Sequence, residues 1–320
     1  MISTVEIHPQ FDAEAALRRR EAPWSRPITP AQLAALVSDT GPASPRRRAE
    51  LKSAPGFPGA VRRTAAKLAE LHRGNPLLNR IINDRGRFFV AQFVLDLHFR
   101  GHDEGIGLTP GRLKALCAEQ GICSGTRAGA LLALMQLGGY VEPAPRGKDR
   151  RRRELVPTEK LIAEQRARWR CIFSGAAPML PDAASAQQML ERPDFGQGLV
   201  RLVSAHYRAG YRFTNHAPGL RLFCDRSGGM FVLLALLSKA EPGVEEALSP
   251  IPISISGLAR AISSSRAHVV KLLKDAESEG LVQRSDPGTI VLLPPLVHDL
   301  HEFFALNYLL VTHAARVTRR

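Results

Sequence analysis

The chain of 320 residues contains few cysteines and no long apolar run. Its four cysteines form no CxxC pair, which argues against a disulfide framework and favours reduced thiols. The longest strongly apolar segment, "MFVLLALL" at 230–237, is far too short to span a bilayer. No apolar segment follows a basic start at the N-terminus, so we expect a cytoplasmic protein without a membrane partner.

The chain also lacks the short motifs of common catalytic and metal sites. It contains no GKS or GKT, no GxSxG, no HExxH and no carboxylate pair placed for acid–base work. The glycine-rich 105–111 follows a helical pattern and lacks the GxGxxG spacing. His98 with His102 and His298 with His301 have helical spacings, but solvated or core histidines are far commoner than metal ligands. We predict no enzyme, no catalytic residue, no metal site and no cofactor.

Acidic residues are scarce relative to basic ones. The chain has 30 acids against 44 lysines and arginines, a formal net charge of +14. Such an excess indicates a polyanionic partner, with nucleic acid ahead of an acidic membrane surface. The hydrophobic fraction of 44% is sufficient for real cores, and the length suits two or three domains.

Two blocks of the sequence resemble each other. A constant offset of 141 relates seven pairs of identical residues, and a tandem duplication explains such a spacing. The pairs are Arg80 and Arg221, Asp84 and Asp225, Arg85 and Arg226, Ser124 and Ser265, Leu131 and Leu272, Leu132 and Leu273, and Gly139 and Gly280. Further on, Pro157 matches Pro294 at an offset of 137, so we expect the second copy to be four residues shorter there.

Composition divides the chain into four parts. Residues 1–60 are rich in Pro, Gly and basic residues and predict a mostly extended arm, partly ordered, with one short helix around Pro30–Val37. We place the first domain at 61–173 and the second at 199–320. The Pro- and Ala-rich 174–198 predicts a linker that contains a short helix.

Each copy has the same predicted order of elements: helix, helix, turn, helix, hairpin, helix. In the first copy, Thr109 caps a helix with Pro110 in its first position, Gly121 ends it, and Ser124 caps the next helix. We therefore predict a mainly α fold with small β-hairpin wings, formed by two winged helix-turn-helix domains in tandem.

The first hairpin carries "DRRRRELVPT", Asp149–Thr158. This segment resembles the wing of MarR-type transcriptional regulators, in which Asp-Arg-Arg precedes Val and Leu-Thr before the last helix. The resemblance covers roughly 86–170 and, more loosely, 228–312, and it implies a regulator that binds double-stranded DNA. Pro157 departs from the usual Leu. MarR-type chains are also about half as long and dimerise through terminal helices.

In such folds the N-terminal turn of the third helix reads bases in the major groove, and the wing contacts phosphates or the minor groove. The residues that we predict to contact DNA are Ser124, Gly125, Thr126 and Arg127 in the first copy, Ser264, Ser265, Arg266, His268, Lys271 and Lys274 in the second, Arg146, Lys148, Arg150, Arg151, Arg152 and Arg153 in the first wing, and Arg284 in the second. The two sets differ, so the half-sites should not be identical. Replacing Arg127 or Arg266 by Ala should change base preference by roughly 1–3 kcal/mol.

The sequence favours a sequence-specific transcriptional regulator that acts as a monomeric pseudo-dimer or a homodimer, with RNA polymerase or other regulators as further candidate partners. A plasmid-type replication initiator is the alternative, because many of these join two winged helices in one basic chain. A third hypothesis is a winged-helix adaptor that binds proteins, against which the basic excess and the arginine run argue.

Overall fold

The computed structural model describes residues 28–73, 76–145, 153–240, 250–284 and 288–319. Over these ranges the chain is mainly helical with two small antiparallel sheets, and no described helix combines the length and apolarity needed to cross a membrane. The helices are α1 (Pro30–Val37), α2 (Pro45–Lys52), α3 (Phe57–His72), α4 (Pro76–Ile82), α5 (Arg85–Glu104), α6 (Pro110–Glu119), α7 (Gly125–Leu137), α8 (Glu159–Ala176), α9 (Pro181–Met189), α10 (Pro193–Arg208), α11 (Arg221–Asp225), α12 (Gly229–Leu237), α13 (Ile255–Ala261), α14 (Arg266–Ser278) and α15 (Pro294–Thr318). The strands are β1 (Val141–Pro143), β2 (Leu155–Pro157), β3 (Ile251–Pro252), β4 (Val282–Arg284) and β5 (Thr289–Leu292).

One order of elements occurs twice. The first unit comprises α5 to α8 with the hairpin β1–β2, and the second comprises α12 to α15 with the hairpin β4–β5. In the second unit β3 lies between the first two helices and pairs with β5, giving the order β3-β5-β4. In the first unit a single antiparallel β-bridge between Leu108 and Leu155 lies at the position that corresponds to the pairing of β3 with β5. Both units thus run helix, bridge or strand, helix, helix, hairpin, helix.

The helix boundaries follow from local sequence signals. The predicted caps Thr109 and Ser124 are confirmed: the Thr109 hydroxyl accepts a hydrogen bond from the Arg112 amide, and Ser124 caps α7 in the same way. Ser265, which matches Ser124, caps α14 likewise. Beyond the last turns of α7 and α14, Gly139 and Gly280 adopt left-handed backbone angles, φ 68° and 67°. Glycine adopts this conformation without a steric penalty, which explains why the two copies end both helices alike.

The predicted match of Pro157 with Pro294 is wrong. In the hairpins, Val141 pairs with Pro157 and Val282 pairs with Leu292, so Pro157 corresponds to Leu292. Cross-strand hydrogen bonds set the register of a hairpin, and a shared residue type does not. The second copy is therefore six residues shorter across the hairpin, with an offset of 135 instead of 137.

Two regions, one predicted to be a mostly extended arm and the other a linker, are helical. The described part of the N-terminal arm contains α1, as predicted, but also α2 and the start of α3, with Leu36 and Leu51 buried. Likewise 174–198 contains the end of α8, all of α9 and the start of α10, with Ala183 and Ala186 buried. Four prolines of these segments, Pro30, Pro45, Pro181 and Pro193, lie in the first turn of a helix, where the missing N–H has no consequence, so they start helices.

Helices preceding each unit pack across to the other unit. Helix α3 contacts α8 of the first unit and α12 of the second, whereas α10 contacts α15 of the second unit and α5 of the first. The arrangement is reciprocal, because α5 and α12 are the first helices of the two units and α8 and α15 are the last. The buried hydrophobic residues form one cluster that extends from Leu36 to Ala315. The described units therefore share a core.

Polar contacts also join the first unit to the segments that precede the second. Arg85 at the start of α5 pairs with Asp225 (3.0 Å), and the Gly228 amide donates to the Asn83 carbonyl (2.6 Å). Further along α5, the fully buried Asp96 carboxylate pairs with Arg208 on α10. These contacts fix the orientation of one unit relative to the other.

A cavity of about 240 Å³ lies between the units. Aromatic side chains from both form much of its wall, including Phe88 and Trp169 from the first unit and Phe303 from the second. In the described ranges, the buried Trp169 indole N–H has no hydrogen-bond partner. Packing between the units is therefore incomplete around this cavity.

His72 forms a buried polar junction where α3 meets the second unit. Its ring is 2% exposed and stacks on Phe231 of α12 with 3.8 Å between ring centroids. The Asn79 amide donates to the carbonyls of His72 and Ala261, so its oxygen faces His72 Nδ1 (3.1 Å), which must donate. His72 Nε2 then faces Arg168 as an acceptor (3.4 Å), which requires the neutral ring. Burial, with the nearby Arg168 charge, lowers the pKa of His72 to about 3.

We expect acidification to destabilise the fold through His72. Because its folded pKa lies below the ordinary value of 6.5, its contribution is complete above pH 6.5 and is lost as pH falls toward 3. At pH 5 the free energy of unfolding should have fallen by about 2 kcal/mol from this group. Urea unfolding of the wild type and His72→Gln at pH 7 and pH 5 measures the effect. The variant should lose less stability on acidification, and equal losses in both proteins would contradict the assignment.

Candidate nucleic-acid interface

The N-terminal turns of α7 and α14 are the two places where the predicted base-reading residues cluster. Each helix follows a tight turn after the second helix of its unit, with a left-handed residue at Gly121 or Ser263. The turn is one residue shorter in the second unit, because Ser124 lies three positions after Gly121 and Ser265 two positions after Ser263. The first turn of a helix carries free amides that can bind a phosphate.

In the first unit, Ser124, Thr126 and Arg127 are exposed, and Gly125 is half-buried beside the aliphatic part of Lys114. The Ser124 hydroxyl accepts from the Arg127 amide (3.3 Å) and is therefore engaged as a cap. Arg127 forms an ion pair with Asp84 at 3.0 Å. Of the four predicted residues, Thr126 is the exposed one whose side chain forms neither the helix cap nor an ion pair.

In the second unit the predicted cations are more available. Ser265, Arg266, Lys271 and Lys274 are exposed. Lys271 pairs with Asp275 at 3.4 Å, but its side chain remains 67% exposed. Arg266, in the first position of α14, contacts no carboxylate in the described part of the chain.

Two further predicted residues of this unit are partly buried. Ser264 belongs to the turn, and its amide donates to the Ala259 carbonyl (2.9 Å). His268 holds the loop before α12, since its Nε2–H donates to the Ser227 carbonyl (2.7 Å). Arg127 and His268 correspond at an offset of 141, so each unit uses the third residue of this helix to hold the start of its first helix.

The hairpins differ in what the structure describes. Arg146, Lys148, Arg150, Arg151 and Arg152 lie outside the described residues, whereas Arg153 is described and exposed. Arg284 on β4 is bound to Glu277 of α14, with its amide 3.0 Å from Oε1 and its Nε 2.8 Å from Oε2. These hydrogen bonds from Arg284 lower the pKa of Glu277. Arg284 thus joins the hairpin to α14.

Sequence reasoning missed two cations near the same turns. Lys114 on α6 lies against Gly125 and Gly129 of α7, and Arg260 lies in the last turn of α13. Both side chains are exposed. They belong to the helix before the predicted reading helix, and their positions on its outer face at helical periodicity could have identified them.

Candidate metal-ligating side chains do not cluster in the described residues. In that part of the chain, no three His, Cys, Asp or Glu residues lie together as ligands would. The four cysteines are free thiols. Burial raises the pKa of Cys117 to about 12, and burial also raises the pKa of Cys123 and Cys171, so these thiols stay protonated.

No family model, no curated protein and no solved structure matches this chain.

Proposed function

We propose that the protein is a sequence-specific, double-stranded DNA-binding transcriptional regulator composed of two winged helix-turn-helix domains. In this proposal α7 and α14 are the recognition helices, and the hairpins β1–β2 and β4–β5 are the wings. Each recognition helix reads one half-site, so that a single chain acts as a pseudo-dimer. The fold-level part of this proposal is an analogy with known DNA-binding modules.

The observation that carries the proposal is the repeated order of elements around exposed third helices. In both units a serine caps the third helix, and the first turn of that helix faces solvent. The net charge of +14 and the cations Lys114, Arg260 and Arg266 near these turns favour a polyanionic partner. The reciprocal packing of α3 and α10 gives the two reading helices a fixed separation.

A fixed separation predicts a strict requirement for half-site spacing. Half-sites should be centred about one helical turn of DNA apart, or a multiple of it. Selection from random duplexes, followed by genome-wide mapping of bound DNA, would give the motif. Inserting five base pairs between the half-sites should then abolish specific binding, since one half-site moves to the opposite face of the duplex.

The same mapping distinguishes the alternative functions. Bound sites upstream of separate genes would support a regulator, whereas an array of direct repeats beside partition genes would support a replication initiator. A protein that ignores double-stranded oligonucleotides even at low salt would contradict both and leave the protein-binding adaptor.

A further inference from the structure

The outer face of α7 presents neutral side chains to solvent. Thr126, Ala130, Ala133 and Gln136 are all exposed, and their spacing of four, three and three residues places them on one side of the helix. Arg127 is the only basic residue in the sequence of this helix. Direct recognition of guanine commonly uses Arg or Lys, so whether this face can recognise guanine depends on Arg127.

Arg127 is held by a carboxylate that the fold needs. The Asp84 side chain is only 9% exposed and caps α5 by accepting from the Arg87 amide (2.8 Å). Its other oxygen accepts from Arg127 (3.0 Å). If Arg127 turned toward a base, Asp84 would keep only Arg87 (Nε to Oδ2 3.3 Å) as an ion-pair partner among the described residues, in a largely desolvated position, which is unfavourable. The structure therefore keeps the guanidinium away from the reading face.

The corresponding face of α14 has the opposite character. At the offset of 141, Lys271 and Lys274 take the places of Ala130 and Ala133 and are exposed, and Arg266, which corresponds to Gly125, is exposed beside them. Arg266 occupies the first helical position, from which side chains of recognition helices reach base edges. Arg and Lys are the side chains that pair with the O6 and N7 acceptors of guanine.

We propose that the two half-sites differ in base composition. The first unit reads A·T pairs, through contact of the Thr126, Ala130 and Ala133 methyl groups with thymine methyls and through Gln136 with adenine, and the second unit reads guanine through Arg266. This inference rests on the proposed DNA-binding function and specifies the sequence class that each unit takes.

Base analogues in the selected duplex test the inference directly. Deoxyuridine lacks only the thymine methyl, so each replacement in the first half-site should weaken binding about three- to fourfold. The same replacement in the second half-site should change affinity less than twofold. Replacing guanine by 7-deazaguanine in the second half-site removes one acceptor and should weaken binding about tenfold.

Protein variants assign each effect to its unit. Arg266→Ala should abolish the response to 7-deazaguanine, and Thr126→Ser, which keeps the hydroxyl but removes the methyl, should reduce the response to deoxyuridine. Arg46→Ala, which removes an exposed arginine on α2 away from both recognition helices, is the control for Arg266→Ala and should change affinity less than twofold, with helical content checked by circular dichroism.

Guanine selected in both half-sites would overturn the inference, and so would deoxyuridine without effect in the first half-site; both results would leave DNA binding itself intact. Failure to bind any duplex would instead remove the proposed function and this inference together.

Discussion

Replacing Arg208 by alanine should lower the free energy of unfolding by about 3 kcal/mol. Arg208, the last residue of α10, pairs with Asp96 on α5, and Asp96 is fully buried. The remaining basic partner, Arg100, lies 3.8 Å from the carboxylate. Removing Arg208 therefore leaves a buried charge with one weak partner, at the contact between α10 and α5.

The pH dependence of this variant provides a second signature. Burial raises the pKa of Asp96 to about 6, and the Arg208 charge opposes that rise. Without Arg208 the pKa should rise further. Because a raised folded pKa favours the protonated form, the loss of stability should shrink as pH falls and Asp96 takes up a proton.

Urea unfolding measures both effects. The control is Arg46→Ala, which removes an arginine from a pair with Glu50 whose side chains are 85% and 58% exposed. That pair is solvated, so its loss should leave the free energy of unfolding nearly unchanged. An equally small loss of stability in Arg208→Ala would contradict the view that the α5–α10 contact supports the fold.

Two separate unfolding transitions in the wild type would contradict a shared core.

Replacing Arg150–Arg153 by alanine should weaken DNA binding to all sequences by roughly 100-fold near physiological salt. Arginines on a hairpin beside a duplex neutralise phosphates, and each neutralised phosphate releases about 0.9 counterions. If about six phosphates are neutralised in the wild type, the plot of log K against log salt has a slope near −5. If about half of the four arginines contact phosphates, the slope should become less negative by about two.

A charge-matched control separates phosphate neutralisation from net charge. Arg46, Arg47, Arg63 and Arg73 are exposed and lie on or next to helices that carry none of the predicted DNA-binding residues. Replacing these four by alanine removes the same charge but should change the slope by less than one. Fluorescence anisotropy across a salt series measures both variants. Equal slopes in the wild type and Arg150–Arg153→Ala would remove the wing from the mechanism.

Local signals predict much of each unit correctly. Ser124 and Ser265 cap their helices, and Gly139 and Gly280 end them, because each acts on backbone groups within a few residues. The incorrect predictions arise where a local signal has two meanings. Pro45 contributes to the composition that predicts an extended arm, yet proline at the first helical position favours a helix that other residues can pack against.

Length, charge, the duplicated order of elements and the caps were determined by the sequence itself, since they depend on residue identity and short spacing. The tertiary structure alone decided that α3 and α10 pack reciprocally between the units, and that Arg127 and Arg284 are held by Asp84 and Glu277. The reason is physical: these contacts join residues distant along the chain or on separate elements, so their geometry exists only after the helices pack. Whether an exposed arginine is available to a partner depends on the carboxylate that packing brings beside it.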